Sequence, residues 1–218
     1  MRNRTTVVNE RRKRSYHHGD LRRALLESAM NRLESEGVNG LTLRAVARDA
    51  GVSHNAPYHH FPNAASLLAA LAAAGLRALG EAMEERAGAA RGDALGRLQQ
   101  SGIAYVLFAA RRPDLFRLMF SSTIAGVRDP ELRAAARATF GIVRGYVRDC
   151  YDEGVVDPNV HDAQTTAVAA WSLSHGLAHL VVDRQLGSRG TSQAKIEAEA
   201  EAITGAFVRG LAMRPRKR

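Results

Sequence analysis

The sequence predicts an all-α protein, and three observations carry that prediction. Apolar residues make up 45% of the 218 residues, Ala is abundant, and β-branched runs are rare. Apolar positions recur at steps of three and four, the period of a helix with one buried face. The stretches that show this period open at Asp, Thr, Ser or Pro and stop at Gly. The length supports one large or two small domains with a sizeable core. Boundaries are expected between a basic arm (1–16), a three-helix unit (17–66) and a larger helical domain (67–218).

Residues 1–15 hold Arg2, Arg4, Arg11, Arg12, Lys13 and Arg14 against Glu10, and read as a disordered arm. Such an arm either follows a nucleic-acid backbone into the minor groove or is a solvated tail. The first helix is expected from Asp20 as cap to Glu36, with Gly37 as its stop. Leu21, Leu25, Ala29 and Leu33 line one face, with Leu26 and Met30 beside them. Arg22 and Arg23 fall near its start, close to where a phosphate strand would pass. Val38-Asn39-Gly40 turns into the next helix.

The stretch from Gly40 to Pro62 reads as two short helices joined by a tight turn. Thr42 can cap the first, and Leu43, Val46, Ala47 and Ala50 give it one narrow apolar face. Gly51 stands where a helix end favours a left-handed residue. Val52 is an apolar peg, and Ser53 can cap the second helix. If that helix were buried, it would show apolar residues at helical spacing. Instead it shows His54, Asn55, Tyr58, His59 and His60, which are donors, acceptors and aromatic plates. This is a helix-turn-helix pattern, which sets its second helix in the DNA major groove. Pro57 lacks an N–H, so that helix is expected to start short, slipped or 3₁₀-like, splaying His54 and Asn55 outward.

The alternative is a helical hairpin that binds nothing, and charge separates the two. The net charge is +9; residues 1–62 hold 11 basic and 6 acidic side chains, and residues 63–208 hold 15 and 16. The last ten residues add five basic side chains and no acid. Positive charge concentrated beside a DNA reader is the footprint of phosphate binding.

Residues 17–68 resemble the DNA-binding domain of the TetR family of bacterial transcriptional regulators. The resemblance rests on Gly37, Leu41-Thr42-Leu43, Val46-Ala47, Ala50-Gly51-Val52-Ser53, Tyr58, His60-Phe61-Pro62 and Leu67-Leu68. The lead from Tyr16 to Arg22, the Pro57-Tyr58 step, Trp171 and His175-Gly176 resemble a subgroup whose C-terminal domain carries a Trp and a His-Gly pair. The resemblance implies a homodimeric repressor released from a near-palindromic operator by a small-molecule effector. It gives Tyr58 and His60 mainly phosphate contacts and leaves His54, Asn55 and His59 as base readers, with Ser53 alongside. Asn55 can bond an adenine edge in bidentate fashion, worth ~1–3 kcal/mol of discrimination. Thr42 and Arg44, at a helix start, can hold the opposite backbone. Phe61 reads as core. Family members usually carry a Lys after that Phe, and Asn63-Ala64-Ala65-Ser66 has none.

A helix from about Asn63 to Ala87 continues into the second domain without a linker, so it can carry a tilt between them. After a break at Gly88–Gly92, a helix is expected from Asp93 to Ala110, with Leu95, Leu98, Ile103, Val106 and Leu107 apolar. Arg112-Pro113-Asp114 starts a short helix to about Ser122. Asp129-Pro130 opens one that runs to Glu153, before Gly154. Two long helices complete the chain, Val160–Leu186 and Ser192–Met213, separated by a Gly/Ser loop. Their small residues Ala163, Ala167, Ala170, Gly205, Ala206 and Gly210 allow close approach, and the resemblance makes these helices the homodimer interface.

Tyr105, Phe108, Phe116, Met119, Phe120, Phe140, Tyr146, Trp171 and His175 supply aromatic and soft apolar surface, as core or as pocket. The effector pocket implied by the resemblance would draw on Tyr105, Phe108, Phe116, Met119, Phe120, Trp171 and His175. His175, His179 and Asp183 repeat at four-residue steps, which keeps a metal-responsive or small-molecule-binding helical protein acting through His175 and His179 as the alternative. No Glu lies between the two His, and the one thiol, Cys150, is elsewhere. No cofactor is implied. No phosphate loop, nucleophile elbow or paired carboxylate appears, so no enzyme is expected. Gly141 and Gly145 read as close-packing sites. One Cys, a polar N-terminus, and an Ala64–Leu76 run too short to span a bilayer point to a cytoplasmic protein without membrane contact.

Overall fold

The computed structural model describes residues 18–158, 162–186 and 192–212. The expected arm over 1–16 and most of the Gly/Ser loop lie outside the described residues, as does Val160. The helices are α1 (His18–Glu36), α2 (Leu43–Asp49), α3 (Ala64–Ala89), α4 (Ala94–Arg111), α5 (Pro113–Met119), α6 (Ser122–Ala125), α7 (Pro130–Asp152), α8 (Ala163–Val182) and α9 (Gln193–Leu211). Short 3₁₀ turns occupy Val38–Gly40 and Ala56–His59. Among the described residues the β pairing is one isolated bridge, Val156 to Ala212.

The helix starts reflect their caps. Thr42, Asn63, Asp93, Asp129, Asp162 and Ser192 each accept a bond from the backbone N–H three residues on. A cap of this kind contributes about 1 kcal/mol. Three ends differ from expectation. The first helix already includes His18, so Asp20 lies inside it rather than capping it. The first of the two long C-terminal helices stops at Val182 rather than Leu186, because Arg184 takes φ 56° and its N–H turns back to the Val181 carbonyl. No glycine marks that stop. The short helix after Pro113 divides into α5 and α6 at Phe120-Ser121, where Ser121 is extended.

Helix α3 is the shared spine. It packs on α4, α5 and α7, and its N-terminal end meets α1. Leu67, Leu71 and Leu79 are fully buried along it, each contributing roughly 1.5–3 kcal/mol relative to exposure. By length and composition alone α3 could cross a bilayer, but most of its apolar stretch is buried in this fold. A Cβ on Gly75 would lie 2.7 Å from Met119 Sδ and 2.9 Å from Leu115 Cδ1, so α5 sits this close only against glycine. Gly141 and Gly145 are not close-packing sites within the chain: a Cβ on either meets nothing within 4 Å. Ala167, Ala170 and Gly205 are buried inside the chain, whereas Ala163, Ala206 and Gly210 are exposed.

A candidate nucleic-acid interface and an internal cavity

The N-terminal unit is built by a buried face and an ion pair. Leu25, Ala29 and Leu33 of α1, Leu43 and Val46 of α2, and Phe61 share one core, and Ala47 is fully buried. Arg32, itself buried, donates from Nε to Asp49 Oδ2 at 2.8 Å and also reaches Glu36. This hydrogen bond holds the Asp49 carboxyl below the usual carboxylate range and fixes α2 across α1.

The turn after α2 is a Schellman motif. Gly51, at φ 68°, donates to the Arg48 carbonyl, and Val52 donates to that of Ala47. The next segment is four residues of 3₁₀ helix, Ala56–His59, with Pro57 in its first turn and buried. The second helix is thus short, slipped and 3₁₀, as Pro57 predicts. Ser53 does not cap the segment by its side chain; the cap position is Asn55. The outcome is a splayed edge. Ser53, His54, Asn55, Tyr58 and His59 are exposed, Tyr58 by 46%, while His60 is half-buried with its ring 6.4 Å from that of Phe61. Thr42 and Arg44 are exposed at the start of α2, where Thr42 Oγ1 accepts from Ala45 N–H.

Arg22, expected near a passing phosphate strand, is instead held by two contacts within the protein while staying partly exposed. Its guanidinium lies 5.6 Å from the Phe61 ring centroid, and Nη2 bonds Glu131 Oε2 at 2.8 Å. At the start of α3, which lacks the family's usual Lys, Asn63 and Ser66 form a capping box.

In the larger domain, α3, α4, α5, α6, α7 and α8 line a cavity of about 240 Å³ that opens to solvent beside the exposed Ala125, Arg133 and Ala136. Tyr105, Met119, Phe120 and Trp171 line it. Phe108, Phe116 and His175 do not. Phe108 faces a separate groove toward α1, and Phe116 is fully buried against Tyr105, Phe120 and His175. His175 stands behind the wall, its Nδ1 2.8 Å from the Tyr105 hydroxyl. Residues that spacing alone does not single out complete the lining, among them Leu76, Ile124, Leu132, Arg133 and Thr139.

The wall's polar groups are spent on one another. Trp171 Nε1–H can only donate, and it donates to the Tyr105 oxygen at 3.4 Å. The arrangement that leaves no buried donor over has Tyr105 donating to His175 Nδ1, which puts the imidazole proton on Nε2. Burial, with the charge of His179 nearby, lowers the His175 pKa to about 4, so the ring is neutral. Burial raises that of Tyr105. The Thr139 hydroxyl lies 2.9 Å from the carbonyls of both Leu76 and Ala135. His175 is thus committed to Tyr105, and Asp183 faces Arg117 as well as His179. Among the described residues, no group of three His, Cys, Asp or Glu is placed to hold a metal.

Two family models match the chain. One, for bacterial regulatory proteins of the tetR family, covers residues 25–71; the other, the tetracyclin repressor-like C-terminal domain, covers residues 98–207. The chain belongs to the TetR family. Solved structures share this fold. A protein with unknown function from Rhodococcus sp. RHA1 is 35% identical, with a TM-score of 0.79 over 92% of this chain and 100% of that one. A putative TetR-family transcriptional regulator from Mesorhizobium loti MAFF303099 is 18% identical, with a TM-score of 0.69 over 91% of this chain and 100% of that one. A bacterial regulatory protein in the tetR family from Rhodococcus RHA1 is 19% identical, with a TM-score of 0.65 over 89% and 98%. No curated protein matches. As a TetR-family regulator, the chain pairs an N-terminal helix-turn-helix DNA-binding domain with a larger helical domain.

Proposed function

We propose that this TetR-family chain is a homodimeric repressor that leaves a near-palindromic operator when a small molecule fills the internal cavity. The observation that carries the DNA-reading half is the exposed edge from Ser53 to His59, held out by the Gly51 turn while Pro57 and Phe61 face inward. On this reading His54, Asn55 and His59 meet base edges, and Ser53, Tyr58 and His60 meet phosphates or sugars. Thr42 and Arg44 hold the opposite strand.

The homodimer reading is supported by the outer faces of α8 and α9. Val168, Leu180 and Ile203 are exposed there, beside Gly176, Ala206 and Gly210, and a Cβ on Gly176 or Gly210 meets nothing within the chain. Apolar and small residues facing outward on two long helices fit a self-complementary interface. Filling the cavity releases DNA only if the filled state prefers a different spacing of the two reading edges. The compartment consistent with this role is the cytoplasm.

Selection of bound duplexes from a random pool tests the reading. The expected product is an inverted repeat, bound with an affinity that falls steeply with salt. A selected set without two-fold symmetry, or a flat salt response, overturns it.

A further inference from the structure

The cavity's chemistry narrows what can fill it, and this step rests on the effector reading above. Four lining residues carry a hydrogen-bond donor on the side chain: Tyr105, Thr139, Trp171 and Arg133. The first three are already committed inside the protein. A ligand group that needs a donor deep in the cavity would find none spare and would lose its water bonds on entry. Arg133 differs. It is the one charged residue in the lining, it is exposed on α7, and none of the described acids pairs with it. Its neighbour Glu131 is held by Arg22 and Arg77. The cavity therefore offers no spare side-chain donor within and carries one unmatched cation at its edge.

We propose that the effector is an apolar monocarboxylate whose uncharged body fills the cavity and whose carboxylate meets Arg133. A 150 Å³ apolar cavity holds benzene, so 240 Å³ scales to a body of roughly ten heavy atoms. A guanidinium suits a carboxylate because it can donate two parallel bonds to it. An amine of the same length meets like charge, and an alcohol forfeits the charge-assisted bond.

Trp171 is the chain's one Trp and lines the cavity, so its fluorescence reports occupancy. Decanoate, 4-phenylbutyrate, 1-decanol and decylammonium are titrated against the full chain, against Arg133→Gln, and against Ala136→Phe, which narrows the cavity. The expected result is saturable binding of one or both carboxylates, tighter than 1-decanol by about tenfold and tighter still than decylammonium. Arg133→Gln should erase that preference while leaving 1-decanol unchanged, and Ala136→Phe should weaken all four. If 1-decanol binds as tightly as decanoate, or Arg133→Gln leaves the carboxylates unaffected, the anionic class is wrong while the effector cavity stands. If none of the four changes Trp171 fluorescence or binds by calorimetry, the effector reading fails together with this one.

Discussion

Arg22 Nη2 lies 2.8 Å from Glu131 Oε2, and that contact ties the DNA-binding domain to the helix that walls the cavity. Glu131 is in the first turn of α7, directly before the lining residues Leu132 and Arg133. Its other oxygen meets Arg77 of α3 at 3.0 Å. Arg22 in turn covers the Phe61 ring, and Phe61 N–H donates to the Pro57 carbonyl inside the reading turn. Three contacts thus connect a cavity wall to the exposed edge.

Glu131→Gln is expected to cost less than about 1 kcal/mol of stability, because the pair is partly exposed and screened. Its effect should show in coupling. Ala136→Phe, by filling the cavity, should weaken operator binding in the parent chain and do so less in Glu131→Gln. A double-mutant cycle by fluorescence anisotropy measures this; additive effects would show that Glu131 carries no coupling.

Tyr58→Ala should weaken binding to every duplex alike, since a phosphate contact carries no base information. Asn55→Ala should instead relax preference at one base position, by ~1–3 kcal/mol. Binding isotherms on the selected operator and on single-base variants distinguish the two. Equal losses on all duplexes for Asn55→Ala would remove it from the readers.

Gly51→Ala isolates backbone strain from packing. A Cβ there meets nothing within 4 Å, so any cost comes from φ 68°. The expected loss is about 1 kcal/mol in denaturant unfolding, close to that of Thr42→Ala, which removes the α2 cap. An unchanged midpoint for Gly51→Ala would mean that the turn relaxes freely.

His175 makes stability depend on pH in a definite direction. Its folded pKa is lowered to about 4, below the ordinary value near 6.5. As pH falls through 6.5 the unfolded chain takes up a proton that the folded chain refuses, so stability is lost until about pH 4. With partial solvent access discounted, the loss amounts to roughly 1–2 kcal/mol. His175→Gln, whose amide oxygen can still accept from Tyr105, should flatten the difference between unfolding curves at pH 7 and pH 5. If wild type and variant share the same pH slope, His175 is not the titrating group.

Much of the fold is legible in the sequence because its signals act over a few residues. Thr42 capping α2, Gly51 at positive φ, Asp93 and Asp129 opening α4 and α7, and the apolar line of Leu25, Ala29 and Leu33 all obey such local rules. Where no local signal exists, the sequence misleads. Arg184 ends α8 in a conformation usually left to glycine, and Ser121 breaks a short helix without Gly or Pro.

The sequence by itself determined where most helices begin, which faces are buried and which polar edge is left outside, because caps, period and glycine turns are local chemistry. Only the tertiary structure decided which aromatic residues enclose a cavity and which stand behind it. Phe116 and His175 satisfy the same spacing rules as Met119 and Trp171, and they separate only when six helices take up their rotations. It also decided that Arg22 pairs with Glu131, 109 residues away. A cavity is the space left between elements distant in the chain, and an ion pair across domains needs both ends in place. Neither is encoded in any single stretch.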